Sequence, residues 1–195
     1  MPPAPDLIDF DQAVSHVAAL KPPALVAIDG LPVSGKSTLA ERLERELGAT
    51  TIYLDDFVRP EVEWRGRIGP AFPFGYIRYD TFLAAVESIA QGETARYRLY
   101  NWDRGVLDTE KLVHPGGLVV VEGVSTLHPR LARLYDLRLW VESDPDTTLA
   151  ASLQRGVGDW ERDWRELFLP SVALYLETDP KSRADHLVAG RGVAR

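Results

Sequence analysis

Cysteine is absent from the chain, so it has no disulfide framework, thiolate metal site or thiol redox chemistry, and a reducing compartment suits it. No apolar run approaches the length needed to span a bilayer, and Met1-Pro2-Pro3-Ala4-Pro5-Asp6 lacks the basic and apolar stretches of a secretory leader. A cytoplasmic protein with no membrane partner is expected. Asparagine occurs once, at Asn101, which removes the N-K-x-D signature of guanine-reading switches. Positive charge is in deficit, with 22 Lys+Arg against 29 Asp+Glu, and the net −7 disfavours nucleic acid as a partner. The four histidines, at 16, 114, 128 and 186, show no metal-ligand spacing and read as structural or exposed. No internal repeat or low-complexity segment is visible.

What the chain does contain is concentrated in eight residues, Gly30 to Ser37, reading G-L-P-V-S-G-K-S and matching the phosphate-loop pattern G-x-x-x-x-G-K-[ST]. The chemistry behind the pattern is a loop whose backbone N–H groups wrap a polyphosphate and lead at once into a helix N-terminus. Glycines at 30 and 35 permit the close backbone approach, Lys36 reaches the terminal phosphates, and the Ser37 hydroxyl suits Mg²⁺. Val33, Ser34 and Thr38 complete the expected nucleotide contacts. The apolar run Ala24 to Ile28 before the loop predicts a strand, and Ser37 to Leu43 after it an amphipathic helix, the order that the motif requires.

With 195 residues and 45% hydrophobic composition, a single domain over 1–195 is expected. A helix is predicted over Asp9 to Leu20, and a second strand over Thr50 to Leu54 delivers Asp55-Asp56-Phe57 to the ligand edge. Residues 58–76 read as a long loop rich in Pro, Gly, Arg and aromatics, followed by a helix over Asp80 to Ile89. Residues 94–114 resemble a β-hairpin standing off the main sheet. Leu118 to Val121 is the most apolar strand and leads into Glu122, another carboxylate at the ligand edge. A short helix over Thr126 to Leu134, a strand over Leu137 to Val141, a helix from Asp144 to about Arg155, a kinked or restarted helix around Pro170 and a last strand over Ala184 to Val188 complete an α/β alternation. The pattern predicts a parallel sheet covered by helices on both faces.

Phosphoryl transfer needs a phosphate cradle, Mg²⁺, a proton acceptor and cations for developing charge. Lys36 and the loop amides supply the cradle; Ser37, Asp55 and Glu122 are candidates to hold Mg²⁺; Asp55 is the candidate base. Arg155 and Arg162 flank the glycine-bearing stretch and are candidates to close over ATP as part of a lid at 155–165. Arg78, Tyr100, Trp102 and Arg104 are candidates to contact the acceptor, with the arginines hinting at a carboxylate or phosphate on it.

G-L-P-V-S-G-K-S, L-D-D-F, the hairpin, V-V-V-E-G-V, V-E-S-D-P-D with its following R-x-x-x-x-x-x-R-D, and D-P-K-S-R-A-D-H-L-V together resemble the uridine kinase family, whose wider relatives include phosphoribulokinases and pantothenate kinases. The resemblance runs from Ala24 to Ala189 and implies a P-loop NTPase three-layer fold. Its central parallel sheet would have five strands with the phosphate-loop strand in the middle. It also implies Asp55 as base, Glu122 as the strand-end acid, Arg155 and Arg162 as lid arginines, and ATP with Mg²⁺. The chain departs at Tyr76-Ile77-Arg78-Tyr79, where the family usually has a ribose-contacting Asp, and near Arg104-Gly105, where some relatives have a base-reading His. Nucleoside phosphorylation is the reading the resemblance favours. Pantothenate, a sugar or a sugar phosphate as acceptor, or a regulatory P-loop ATPase, remain the alternatives, and a homo-oligomer is left open.

Overall fold

The computed structural model describes residues 5–155 and 160–193, with the side chains of Pro145 and Arg155 also outside the description. Six strands form one parallel sheet: β1 (Asp6–Ile8), β2 (Ala24–Gly30), β3 (Thr50–Tyr53), β6 (Leu118–Glu122), β7 (Leu137–Glu142) and β8 (His186–Ala189). Their order is β1-β8-β7-β2-β6-β3, so the phosphate-loop strand is central and buried throughout its length. The count is six rather than the expected five. The sixth strand is β1, whose residues Asp6 to Ile8 pair with His186 to Val188 and close the edge that β8 would otherwise expose. Three residues are too few for a periodic signal, which is why the sequence did not announce this strand.

Alternation along the strands divides the apolar residues between two faces. Leu25, Ala27, Val119 and Val121 pack with α4 (Tyr79–Ala90) on one side, whereas Val26, Ile28, Val120 and Leu139 pack with α1 (Phe10–Ala18) and α2 (Lys36–Leu47) on the other. Helix α1 begins with a capping box in which the Asp9 side chain accepts from the Gln12 N–H at 2.7 Å and Gln12 Oε1 accepts from the Asp9 N–H at 2.9 Å. Helix α2 ends at Gly48 in the left-handed conformation at φ 67°, as its sequence position requires.

Strands β4 (Ala95–Asn101) and β5 (Val106–Val113) form the separate antiparallel hairpin. Tyr97, Tyr100 and Val113 dock it on the first face. The loop expected over 58–76 contains a short helix, α3 (Glu61–Trp64), and its aromatic residues Trp64 and Phe74 are buried. The helix expected over Thr126 to Leu134 shrinks to a single 3₁₀ turn at Ala132–Leu134. The Ser125 and Leu127 N–H groups are claimed by the Asp29 carboxylate, and Pro129 has none to give. Helix α5 (Pro145–Arg155) lies where expected. After it, α6 (Glu161–Asp163) passes through a π turn at Trp164–Phe168 into α7 (Leu169–Leu176), with Pro170 in the first turn of the restarted helix.

Candidate active site

Strand β2 runs straight into the phosphate loop. Gly30 sits at φ 147°, and a Cβ there would lie 2.5 Å from the Val141 carbonyl oxygen, so no other residue fits without moving β7. Gly35, at φ 112°, turns the chain into α2, whose N-terminus carries no side-chain cap. That leaves first-turn N–H groups for an anion. The outward-facing carbonyls of the loop are held from behind: the Arg191 N–H donates to Ser34 O and Arg191 Nε to Val33 O, both at 3.0 Å. Lys36, itself buried, donates to Leu31 O at 2.7 Å. The Ser34 hydroxyl is buried without a hydrogen-bond partner among the described residues and borders the cavity above the loop.

Asp29, directly before the loop, is fully buried. It accepts from the N–H groups of Gly30 at 2.7 Å, Ser125 at 3.0 Å and Leu127 at 2.8 Å, and from the Tyr175 hydroxyl at 2.5 Å. Burial pushes its pKa up, and these donors oppose the shift. One carboxylate thereby ties the loop entrance, the turn after β6 and α7 together. Asp29 and Arg191 are the site-supporting residues that sequence reasoning missed. The signal for Asp29 was visible as a lone acid inside an otherwise apolar strand; Arg191 carried none.

At the ligand edge, β6 delivers Glu122 and the turn after β3 delivers Asp55. The Ser37 hydroxyl lies 3.5 Å from Glu122 Oε1. Burial, with the nearby carboxylates of Asp55 and Asp29, pushes the Glu122 pKa up to about 7, against the pull of Lys36 and Ser37. Asp55 is exposed to the cavity. Its neighbour Asp56 points the other way: it pairs with Lys111 at 3.2 Å and accepts from the Tyr97 hydroxyl at 3.4 Å, fastening the hairpin. Two adjacent aspartates thus divide into one facing the site and one anchoring an element. Among the described residues no cluster of three or more His, Cys, Asp or Glu is placed to hold a metal. Two carboxylates and a hydroxyl beside a phosphate site nevertheless suit Mg²⁺, which keeps several waters and shares the substrate's phosphates.

The cavity measures about 430 Å³. The phosphate loop from Pro32 to Ser37, Asp55 and Glu122 line one end, and Trp64, Phe74, Tyr76, Trp102, Trp160, Trp164 and Phe168 the other. Of the candidates for acceptor contact, only Trp102 borders it. The Arg78 guanidinium donates to the carbonyls of Asp56 and Arg98, each at 2.8 Å, and bridges the 3₁₀ turn at Leu54–Phe57 to the hairpin. Arg104 pairs with Asp108, and Tyr100 is buried in the hairpin's inner face. The hint of an anionic acceptor therefore loses both of its arginines to structural pairs. Arg162 is largely exposed and pairs with Glu166 at 2.7 Å. The Arg155 side chain and residues 156–159 of the expected lid lie outside the described residues.

The family model for the phosphoribulokinase / uridine kinase family matches residues 72–166. The chain is similar to that family. A uridine kinase of Clostridium perfringens is 27% identical over 150 residues, covering 72% of this chain and 71% of the relative. A phosphoribulokinase of Synechocystis is 24% identical over 175 residues, covering 84% of this chain and 52% of the relative. Among solved structures, a possible uridine kinase from Bacillus stearothermophilus superposes with a TM-score of 0.65 at 20% identity, over 92% of this chain and 96% of that one. This last likeness is one of fold, a parallel sheet with helices on both faces.

Proposed function

We propose that the protein is an ATP-dependent phosphotransferase acting on a hydroxyl of a small molecule, working as a single kinase domain. The observation that carries this reading is that Asp55 opens into the same cavity as Lys36, Ser37 and Glu122. A polyphosphate site and a carboxylate able to take a proton thus face one space large enough for a second substrate. Residues that fold against that space, from α3, the hairpin and the π turn, enclose an acceptor pocket that a purely regulatory ATPase does not need.

In the proposed reaction Asp55 accepts the proton of the acceptor hydroxyl as its oxygen bonds to the γ-phosphorus, and the bond to the β–γ bridging oxygen breaks to release ADP. The loop amides and Lys36 hold the phosphates throughout. Ser37, Glu122 and Asp55 would hold Mg²⁺, which supplies neutralisation of the phosphate charge. Residues 155–165, with Arg155 and Arg162, are the proposed lid, and closure there would exclude water and limit hydrolysis. The test is ATP consumption by the purified protein with Mg²⁺ against a panel of nucleosides, pantothenate, sugars, sugar phosphates and simple alcohols. Uridine leads the panel because of the relatives' names, with cytidine beside it as a second pyrimidine nucleoside. Stimulation above basal hydrolysis by one acceptor class supports the kinase reading; steady hydrolysis that no acceptor stimulates favours a regulatory ATPase instead.

A further inference from the structure

The far end of the cavity is a box of rings. Phe168 lies with its centroid 4.8 Å from Tyr76 and 5.6 Å from Trp64, and Trp160 is 5.9 Å from Trp64 and 6.3 Å from Trp102. The box is held in place from outside. The Arg65 guanidinium lies 4.7 Å from the Trp160 ring centroid and is itself fixed by Glu61 and Asp163, each at 2.9 Å. The Trp64 indole N–H is taken by the Arg59 carbonyl at 2.9 Å, and the buried Trp64 ring backs Trp160 and Phe168. Among the described residues lining the cavity, every charged side chain (Lys36, Asp55, Glu122) stands at the phosphate-loop end, and no Asn, Gln, His or Arg borders the remainder.

We propose that the acceptor is a neutral alcohol with its hydroxyl at one end and a flat, largely apolar ring at the other, rather than a polyhydroxylated nucleoside or a phosphorylated sugar. This rests on the kinase reading and narrows its substrate. The reasoning concerns unpaired groups. A ring laid against Trp160 and Phe168, the partly exposed rings of this cluster that border the cavity, gains apolar contact and offset stacking without needing donors. Among the described residues, pentose or hexose hydroxyls in the same space find few polar side chains beyond Asp55, the Tyr76 phenol and the indoles of Trp102, Trp160 and Trp164, and a phosphate or carboxylate finds no cation away from the phosphate loop. Polar groups buried without partners count against binding.

The test separates the pocket from the reaction by using two readouts on the full chain with Mg²⁺. Calorimetry compares the affinities of 2-phenylethanol, 4-(hydroxymethyl)pyridine, uridine and fructose 6-phosphate in the presence of a non-hydrolysable ATP analogue. ³¹P NMR with ATP records which of them is phosphorylated. The expected result is binding of the aromatic alcohols about tenfold or more tighter than uridine or the sugar phosphate, weakened at least about tenfold in Trp160→Ala. If Trp160→Ala fails to fold, Phe168→Leu takes its place. Equal or tighter binding of uridine or the sugar phosphate overturns the inference, and phosphorylation of either one then leaves the kinase reading standing. Tight binding of the aromatic alcohols with transfer to none of them supports the pocket's chemistry and overturns the kinase reading instead.

Discussion

At the scale of single residues, the two aspartates after β3 show how local geometry separates identical chemistry. Asp55 opens to the cavity, and Asp56 turns to Lys111 and Tyr97. Asp55→Asn should lower turnover by about 100-fold or more while ATP affinity, read by calorimetry, stays near that of the parent. Equal loss of both would recast Asp55 as a metal or folding residue. Glu122 predicts a pH dependence. A carboxyl whose pKa is raised from 4.5 to about 7 by folding binds its proton more tightly in the folded state. Its contribution is present at low pH and is lost as pH rises through that interval, by up to about 3 kcal/mol. Asp29 and Asp56, also shifted upward by burial, act in the same sense. Denaturant melts of the ligand-free protein should therefore show stability falling between about pH 4.5 and 7, with a shallower slope in Glu122→Gln. An unchanged slope would remove Glu122 as its source.

At the scale of elements, the site depends on how separate segments are tied to β2. Tyr175 on α7 reaches across to Asp29, and the same carboxylate holds the turn after β6. Tyr175→Phe removes one of four donors to a buried acid, so a loss of about 1–3 kcal/mol is expected in chemical denaturation. A loss within error would mean that Asp29 is neutral and already satisfied by its backbone donors. The hairpin is fastened more locally. Lys111 donates to Thr51 O at 2.8 Å and pairs with Asp56, so Lys111→Met leaves a half-buried carboxylate without its cation. Faster amide exchange through β4 and β5 than through β2 and β6 is the expected signature.

At the scale of the whole molecule, the phosphate loop lies at the centre of the sheet and is braced on its β7 side, by Val141 on β7 and by Gly190 and Arg191 beyond β8. Ligand binding there should therefore stabilise the entire fold. MgATP at about 100 times its Kd should add about 2.7 kcal/mol, a rise in Tm on the order of 5–10 °C by differential scanning fluorimetry. Lys36→Ala should abolish the rise.

The strand, glycine loop and helix around Gly30 to Ser37 were legible because they are local: adjacent residues and their spacing are enough to specify a phosphate cradle. The same holds for β6 ending in Glu122, for β3 delivering Asp55 and for the hairpin, each carried by a contiguous apolar or alternating pattern. Strand β1 was not legible, being too short to show a period, nor was the loss of the helix after Thr126, because the groups that compete for its N–H bonds belong to Asp29 almost a hundred residues earlier. Arg78 and Arg104 looked available in sequence, since charge there is visible and its partners are not. The residues Gly30 to Ser37 determined by themselves the strand, glycine loop and helix of the phosphate-loop pattern. Which carboxylate faces the cavity, which arginines are already paired and which rings line the cavity were decided only when distant segments met, because side-chain partnership depends on distance in space and not along the chain.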